Sequence, residues 1–124
     1  MRIIDKAALA TPRSPTCQNC GCYCRKPTER HHIIARGMAG GSRMDIPQNL
    51  IDLGGWSDCD CHCRAQRGKI TISALCYQVT KRYNVDGLTV QTFLRRLQRM
   101  DKPIVPWNAE DVEKFWEECK REAV

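Results

Sequence analysis

Histidine occurs three times in this chain, as the pair His31 and His32 and again as His62. Cysteines flank the same stretch, with Cys17, Cys20, Cys22 and Cys24 before it and Cys59, Cys61 and Cys63 around its close. Imidazole and thiolate are the side chains that ligate transition metals, and imidazole also exchanges protons near neutral pH. A chain that places every histidine here, between cysteines, gathers its metal-binding and acid/base residues into one site.

The cysteine spacing narrows the chemistry. Cys17-Gln-Asn-Cys20-Gly21 is a CxxCG knuckle: the two-residue spacer lets a tight turn aim both thiolates at one tetrahedral ion, and Gly21 relieves the backbone behind it. A second group at Cys59, Cys61 and Cys63 lies about forty residues on. Two such groups would clamp a strand-loop-strand segment through one structural zinc ion, expected on Cys17, Cys20, Cys59 and Cys61. Cys22 and Cys24 compete with the first pair, and Cys63 competes with Cys59. A redox CxxC would be followed directly by a helix, but Cys22, Cys24 and Pro27 stand there instead.

A chain of 124 residues makes one domain with a modest core, the size class in which a metal staple matters. The start, Met1 to Leu9, carries Arg2, Asp5 and Lys6 and lacks the apolar run of a secretory signal. No stretch is long enough to cross a bilayer. The expected location is the cytoplasm, where closely spaced thiols are metal ligands more often than disulfide partners. Residues 1–50 hold 8 Lys/Arg against 3 Asp/Glu and residues 64–102 hold 9 against 2, whereas residues 103–124 reverse the balance with 3 against 6. The formal charge of +6 therefore understates the basic surface that an anion such as nucleic acid would meet.

Three segments must position these residues. Residues 1–16 end in Thr11-Pro-Arg-Ser-Pro-Thr16 and read as a flexible lead. Residues 17–70 form the metal-rich core, with a short strand over Arg30–Ile34, a glycine-rich loop at Arg36–Ser42 and a second strand over Leu50–Leu53. Residues 71–124 are a helical extension packed on that core. Its first helix is expected at about 72–84, capped by Thr71 or Ser73. A second carries Val90, Phe93, Leu94, Leu97 and Met100 with Arg95, Arg96 and Arg99 on its polar face. The third starts at an Asn108 cap, with Asp111 at the reciprocal position and Trp107 stapled on Val112, and buries Val112, Phe115, Trp116 and Cys119. Cys76 and Cys119 fall on these stripes as small buried side chains.

The order CxxC, histidine pair, glycine-rich loop, Asn-Leu, Cys-His resembles the HNH endonucleases over about residues 17–69, with His32, Asn49 and His62 at the signature positions. The resemblance implies an α+β fold whose centre is a ββα-metal (His-Me finger) core stapled by a zinc knuckle, followed by C-terminal α-helices. It also implies a phosphodiester hydrolase in which His32 is the general base, while His31, where Asp often stands, and His62 hold a catalytic divalent cation. Asn49 would support His32 by hydrogen-bonding backbone across the loop. Two imidazoles with open positions would accept Mg²⁺, Mn²⁺, Ni²⁺ or Zn²⁺. The chain departs from the family pattern at Gly54, in the insertion Gly55-Trp-Ser-Asp58, in its CxCH second knuckle, and at Ala35 where proline is frequent.

Arg36, Arg43, Arg64, Arg67 and Lys69 surround the motif and are expected to contact phosphates, positioning DNA without reading its sequence. The expected function is metal-dependent DNA cleavage, nicking or double-stranded, of the small kind the family supplies to phages and prophages in a bacterial host cell. The implied partners are DNA, a second copy of the chain, or a phage packaging or recombination protein. The contrasting reading is a non-catalytic zinc-bound DNA-binding or adaptor protein.

Overall fold

The computed structural model describes residues 2–4, 6–34, 43–99 and 109–122. Along these the chain forms β1 (Arg2–Ile4), α1 (Lys6–Ala10), β2 (Glu29–His32), β3 (Arg43–Asp45), a 3-10 turn (Pro47–Asn49), β4 (Leu50–Leu53), α2 (Cys61–Gln66), α3 (Ile72–Thr80), α4 (Thr89–Arg99) and α5 (Ala109–Glu122). The fold is α+β, as expected. The glycine-rich loop with Arg36, the Asn108 cap and the Trp107 staple lie outside the described residues.

The strands that frame the histidines are β2 and β4, paired antiparallel with His31 opposite Ile51 and His32 opposite Leu50. Every residue of β4 is buried. Alternation along β2 divides its side chains between two faces. Arg30 and His32 serve one face, and Glu29 and His31 the other.

On the first face Arg30 forms a two-pronged pair with Asp52, Nε to Oδ1 at 2.9 Å and Nη2 to Oδ2 at 3.2 Å. The pair is nearly dry, with side-chain exposures of 11 % and 7 %. Its remaining hydrogen-bonding capacity is used by the lead. Arg30 Nη1 donates to the carbonyls of Ala8 and Leu9 in the last turn of α1, and Ser14 N donates to Asp52 Oδ2. Gln18 exchanges hydrogen bonds with the Asp52 backbone through its own N–H and its Oε1. Residues 1–16, expected as a flexible lead, thus carry a helix tied down by this ion pair and a strand, β1, paired parallel with β3.

The C-terminal helices follow the expected stripes. Thr71 caps α3, its Oγ1 accepting from Ala74 N at 3.1 Å. The helix stops at Thr80, short of the expected 84, and the following turn reaches Asn84 in the left-handed region at φ 52°. That turn frees Arg82 to donate to Leu50 O at 2.9 Å, fastening α3 to β4. Val90, Phe93, Leu94 and Leu97 of α4 are fully enclosed, and Val112, Phe115, Trp116 and Cys119 of α5 close over them. The Phe93 ring sits 4.9 Å from Trp116 and 5.6 Å from Phe115. These residues join Ile33, Met44, Ile51 and Leu53 in one core, so the extension packs on the histidine-bearing unit. Among the described residues no helix is long and apolar enough to cross a membrane.

Removing one partner of a buried, hydrogen-bonded ion pair strands the other charge, at a cost of about 3–5 kcal/mol. Asp52→Ala is therefore expected to lower unfolding stability by that amount in chemical denaturation of the metal-loaded protein. Glu110→Ala, which breaks only the exposed i,i+4 pair with Lys114, is expected to cost less than about 0.5 kcal/mol. Equal losses in the two variants would refute this view of the lead.

Candidate functional site

The knuckle is a small hairpin. Thr16 bridges Tyr23, Cys17 N donates to Cys22 O at 2.9 Å, and Gly21 N donates to Cys17 O at 2.8 Å. Gly21 takes φ 81°, a conformation that costs an L side chain strain. The hairpin carries Cys17 and Cys20 to the start of α2, where the thiols of Cys17, Cys20, Cys59 and Cys61 all lie within 4.8 Å of one another. This is the expected ligand set, able to hold a metal and consistent with structural zinc. Burial holds the Cys61 thiol well above the usual thiol range, with its sulfur neighbours adding to the effect. Thiols so crowded ionise together only when a cation compensates them. Of the competing cysteines, Cys63 joins neither metal-capable group found among the described residues, while Cys22 and Cys24 form a second group with Cys59.

The cluster includes the first residue of α2, Cys61, and the third histidine follows it directly. His62 N donates to Gly54 O at 3.1 Å, joining the helix to the end of β4. The His62 ring meets the His31 ring edge-on with centroids 5.2 Å apart. On its other side His62 Nδ1 lies 2.9 Å from Glu29 Oε2. The carboxylate accepts, so Nδ1 carries a proton and Nε2 is the ring nitrogen turned away from Glu29, the one a metal would use. Gly55 permits this arrangement, since a Cβ there would stand 2.2 Å from Glu29 Oε1.

His31 is the most perturbed of the three. Burial first, then the neighbouring His62 and His32, push its pKa down from 6.5 to about 4. Its imidazole is therefore neutral at physiological pH, the form that binds metal.

His32 has a different environment one residue away. Its Nε2 lies 2.6 Å from Oδ1 of Asp45, a carboxylate with no solvent exposure. The same donor argument places a proton on Nε2, and Nδ1 is the nitrogen turned away from Asp45. Such a His–carboxylate pair fixes the tautomer and stabilises the imidazolium that proton uptake creates.

Asn49 is fully buried and spends its amide on backbone. Oδ1 accepts from Ile34 N at 2.8 Å, while Nδ2 donates to Ile34 O at 3.2 Å and to Met44 O at 2.9 Å. Its carbonyl also accepts from Ile33 N. Asn49 thus holds together the two ends of the chain on either side of residues 35–42, next to His32 and Asp45.

His31, His32 and His62 border one open cleft of about 740 Å³ that Gln66, Ile70 and Thr71 also line. Arg64, Arg67 and Lys69 are exposed on α2 and the turn after it, the turn reversing at Gly68 with φ 73°. Arg43 lies in β3 beside the site, its side chain outside the described residues, as is all of Arg36. On α4, Arg96 is engaged by α5, paired with Glu122 and stacked over Phe115, which leaves Arg95 and Arg99 as the more available cations of that helix.

Glu29 and Asp45 escaped the sequence reading. Glu29 carried a usable signal, because a residue two before His31 on a strand shares its face. Asp45 carried none, since only the fold brings it to His32 from across the loop.

The His31 environment has a sign that can be measured. Between pH about 6.5 and about 4 the unfolded chain takes up a proton that native His31 refuses, so stability falls as pH falls through this window and is unaffected above it. An NMR titration of the His31 ring without added divalent cation is expected to show a midpoint near 4, and His31→Gln should remove part of the acid destabilisation. A midpoint between 6 and 7 would contradict the buried geometry. The chain matches no family model, no curated protein and no solved structure, and what the site can do is read from its own residues.

Proposed function

We propose that the protein is a divalent-cation-dependent endonuclease of the HNH type that hydrolyses DNA phosphodiester bonds. The observation that carries this reading is the division of labour among three histidines on one cleft. The His31 and His62 rings meet edge-on, with His31 held neutral by burial, and His32 is backed by a buried carboxylate.

In this reading His32 Nδ1 takes the proton from the attacking water, while Asp45 holds the ring in place and stabilises its charged form. His31 and His62 Nε2 hold the cation, and Glu29 sets the orientation of His62. When bound, the cation supplies charge neutralisation at the phosphate and at the leaving oxygen. Asn49 keeps the strand ends in register, so that the base and the ligand pair stay at a constant separation. Arg64, Arg67 and Lys69 hold the flanking phosphates, a sequence-independent and salt-sensitive attraction. The Cys17, Cys20, Cys59 and Cys61 cluster carries a structural zinc ion that takes no part in the chemistry. One such site cuts one strand, so a single chain nicks, and two copies or two events are needed to cut both.

The test is conversion of supercoiled plasmid with Mg²⁺, Mn²⁺ or Ni²⁺ in turn. Open-circle product is expected from the unmutated protein. His32→Ala is expected to be slower by about 10²–10⁴ with DNA affinity retained, and Asp45→Asn to be impaired in the same direction. Absence of cleavage with every cation, with DNA still bound, would give the site to a non-catalytic adaptor. Cleavage undiminished in His32→Ala would remove His32 as the base.

A further inference from the structure

Cys22 and Cys24 have no part in a four-thiolate site, yet they are not dispersed. Their sulfurs and that of Cys59 lie within 4.8 Å of one another, so Cys59 belongs to both cysteine groups. The Cys22 and Cys24 sulfurs are 3.8 Å apart. That is far beyond a disulfide bond of about 2.05 Å. It matches the edge of a tetrahedron whose centre stands about 2.3 Å from each sulfur, the zinc–thiolate distance.

Two features outside the cysteines hold this second group together. At Gly54 a Cβ would lie 2.4 Å from Cys59 Sγ and 3.1 Å from Cys24 Sγ, so a residue without a side chain lets those sulfurs close over the backbone. The Asp58 carboxylate accepts from Arg25 N at 2.8 Å and Lys26 N at 3.3 Å. It thereby locks the segment after Cys24 to the turn that presents Cys59. Both features sit where the second knuckle departs from the simpler pattern, at Gly54 and in the insertion after it.

We propose that the cysteine cluster is binuclear, with one zinc ion on Cys17, Cys20, Cys59 and Cys61, a second on Cys22, Cys24 and Cys59, and the Cys59 thiolate bridging the two. Two dipositive ions with six thiolates carry the same net charge as one ion with four. The second ion thus brings Cys22 and Cys24 in as thiolates without adding charge to the site. Three protein ligands leave one tetrahedral position for water, and the half-buried setting of Cys22 and Cys59 admits it. The proposal is independent of the nuclease reading, because it concerns sulfur ligands alone.

The histidine pair could also take zinc, so the count is made in the His31→Ala/His62→Ala protein. Native mass spectrometry after desalting is expected to give two zinc ions per chain there, and one when Cys22→Ser and Cys24→Ser are added. In the unmutated chain loaded with ¹¹³Cd, NMR is expected to show two resonances in the sulfur-rich range, split by mutual coupling through the shared thiolate. A single zinc ion, a second ion that survives the serine changes, or two uncoupled resonances would overturn the proposal. Should the serine variant fail to fold, the cadmium spectrum of the unmutated chain decides alone.

Discussion

Everything the histidines can do depends on where α2 begins, and the sulfur cluster sets that point. Cys59 and Cys61 stand before and in the first turn of the helix, and Cys17 and Cys20 reach them from a knuckle that precedes β2, whose first residue stands opposite the last of β4. His62 follows Cys61 directly, so the cluster that gathers the sulfurs also delivers His62 to His31. Magnitudes show why such a clamp can dominate. Structural zinc binding is worth about 10–16 kcal/mol in small zinc-finger peptides, as large as the whole net stability of a domain, about 5–15 kcal/mol. A metal on these thiolates would decide whether the cleft exists at all.

The second constraint is the alternation of β2. Adjacent histidines on a strand meet different neighbours, and here the difference is chemical. Glu29 and His31 face α2, where burial and the neighbouring imidazoles keep His31 neutral and the Glu29 carboxylate holds Nδ1 of His62. Arg30 and His32 face the other way, where Asp52 and Asp45 provide carboxylates of very low exposure. One four-residue strand therefore gives its two histidines different surroundings, while its end brings both rings to the same cleft. The Arg30–Asp52 pair beneath it ties the strand to the lead, to the knuckle through Gln18, and to β4.

Much of this was legible from local pattern. The run Leu50–Leu53 is a strand at those residues because four apolar or cross-paired side chains are all buried there. Thr71 caps α3 because its hydroxyl meets an orphan N–H, and the stripes of α4 and α5 are buried because their period matches a helix. The cysteine set was readable because tetrahedral coordination restricts spacing. What was not legible depends on contacts distant in sequence. Asp45 reaches His32 across a loop, Arg96 is claimed by Glu122 on another helix, and the lead is held by carbonyls that Arg30 reaches from β2. Gly54 and Gly55 looked like a departure from a motif, and their reason emerges only from the sulfur and carboxylate atoms that occupy the space a Cβ would need.

The central claim is that His31 and His62 form a cation site separate from the sulfur cluster. The most direct test is an anomalous difference map, recorded at the manganese edge, from crystals of the zinc-loaded protein soaked in Mn²⁺. A manganese peak between the two imidazoles, absent in His62→Ala crystals and distinct from zinc at the cysteines, is the expected result. Manganese found only elsewhere, or a map with no peak at the imidazoles under saturating Mn²⁺, would contradict it.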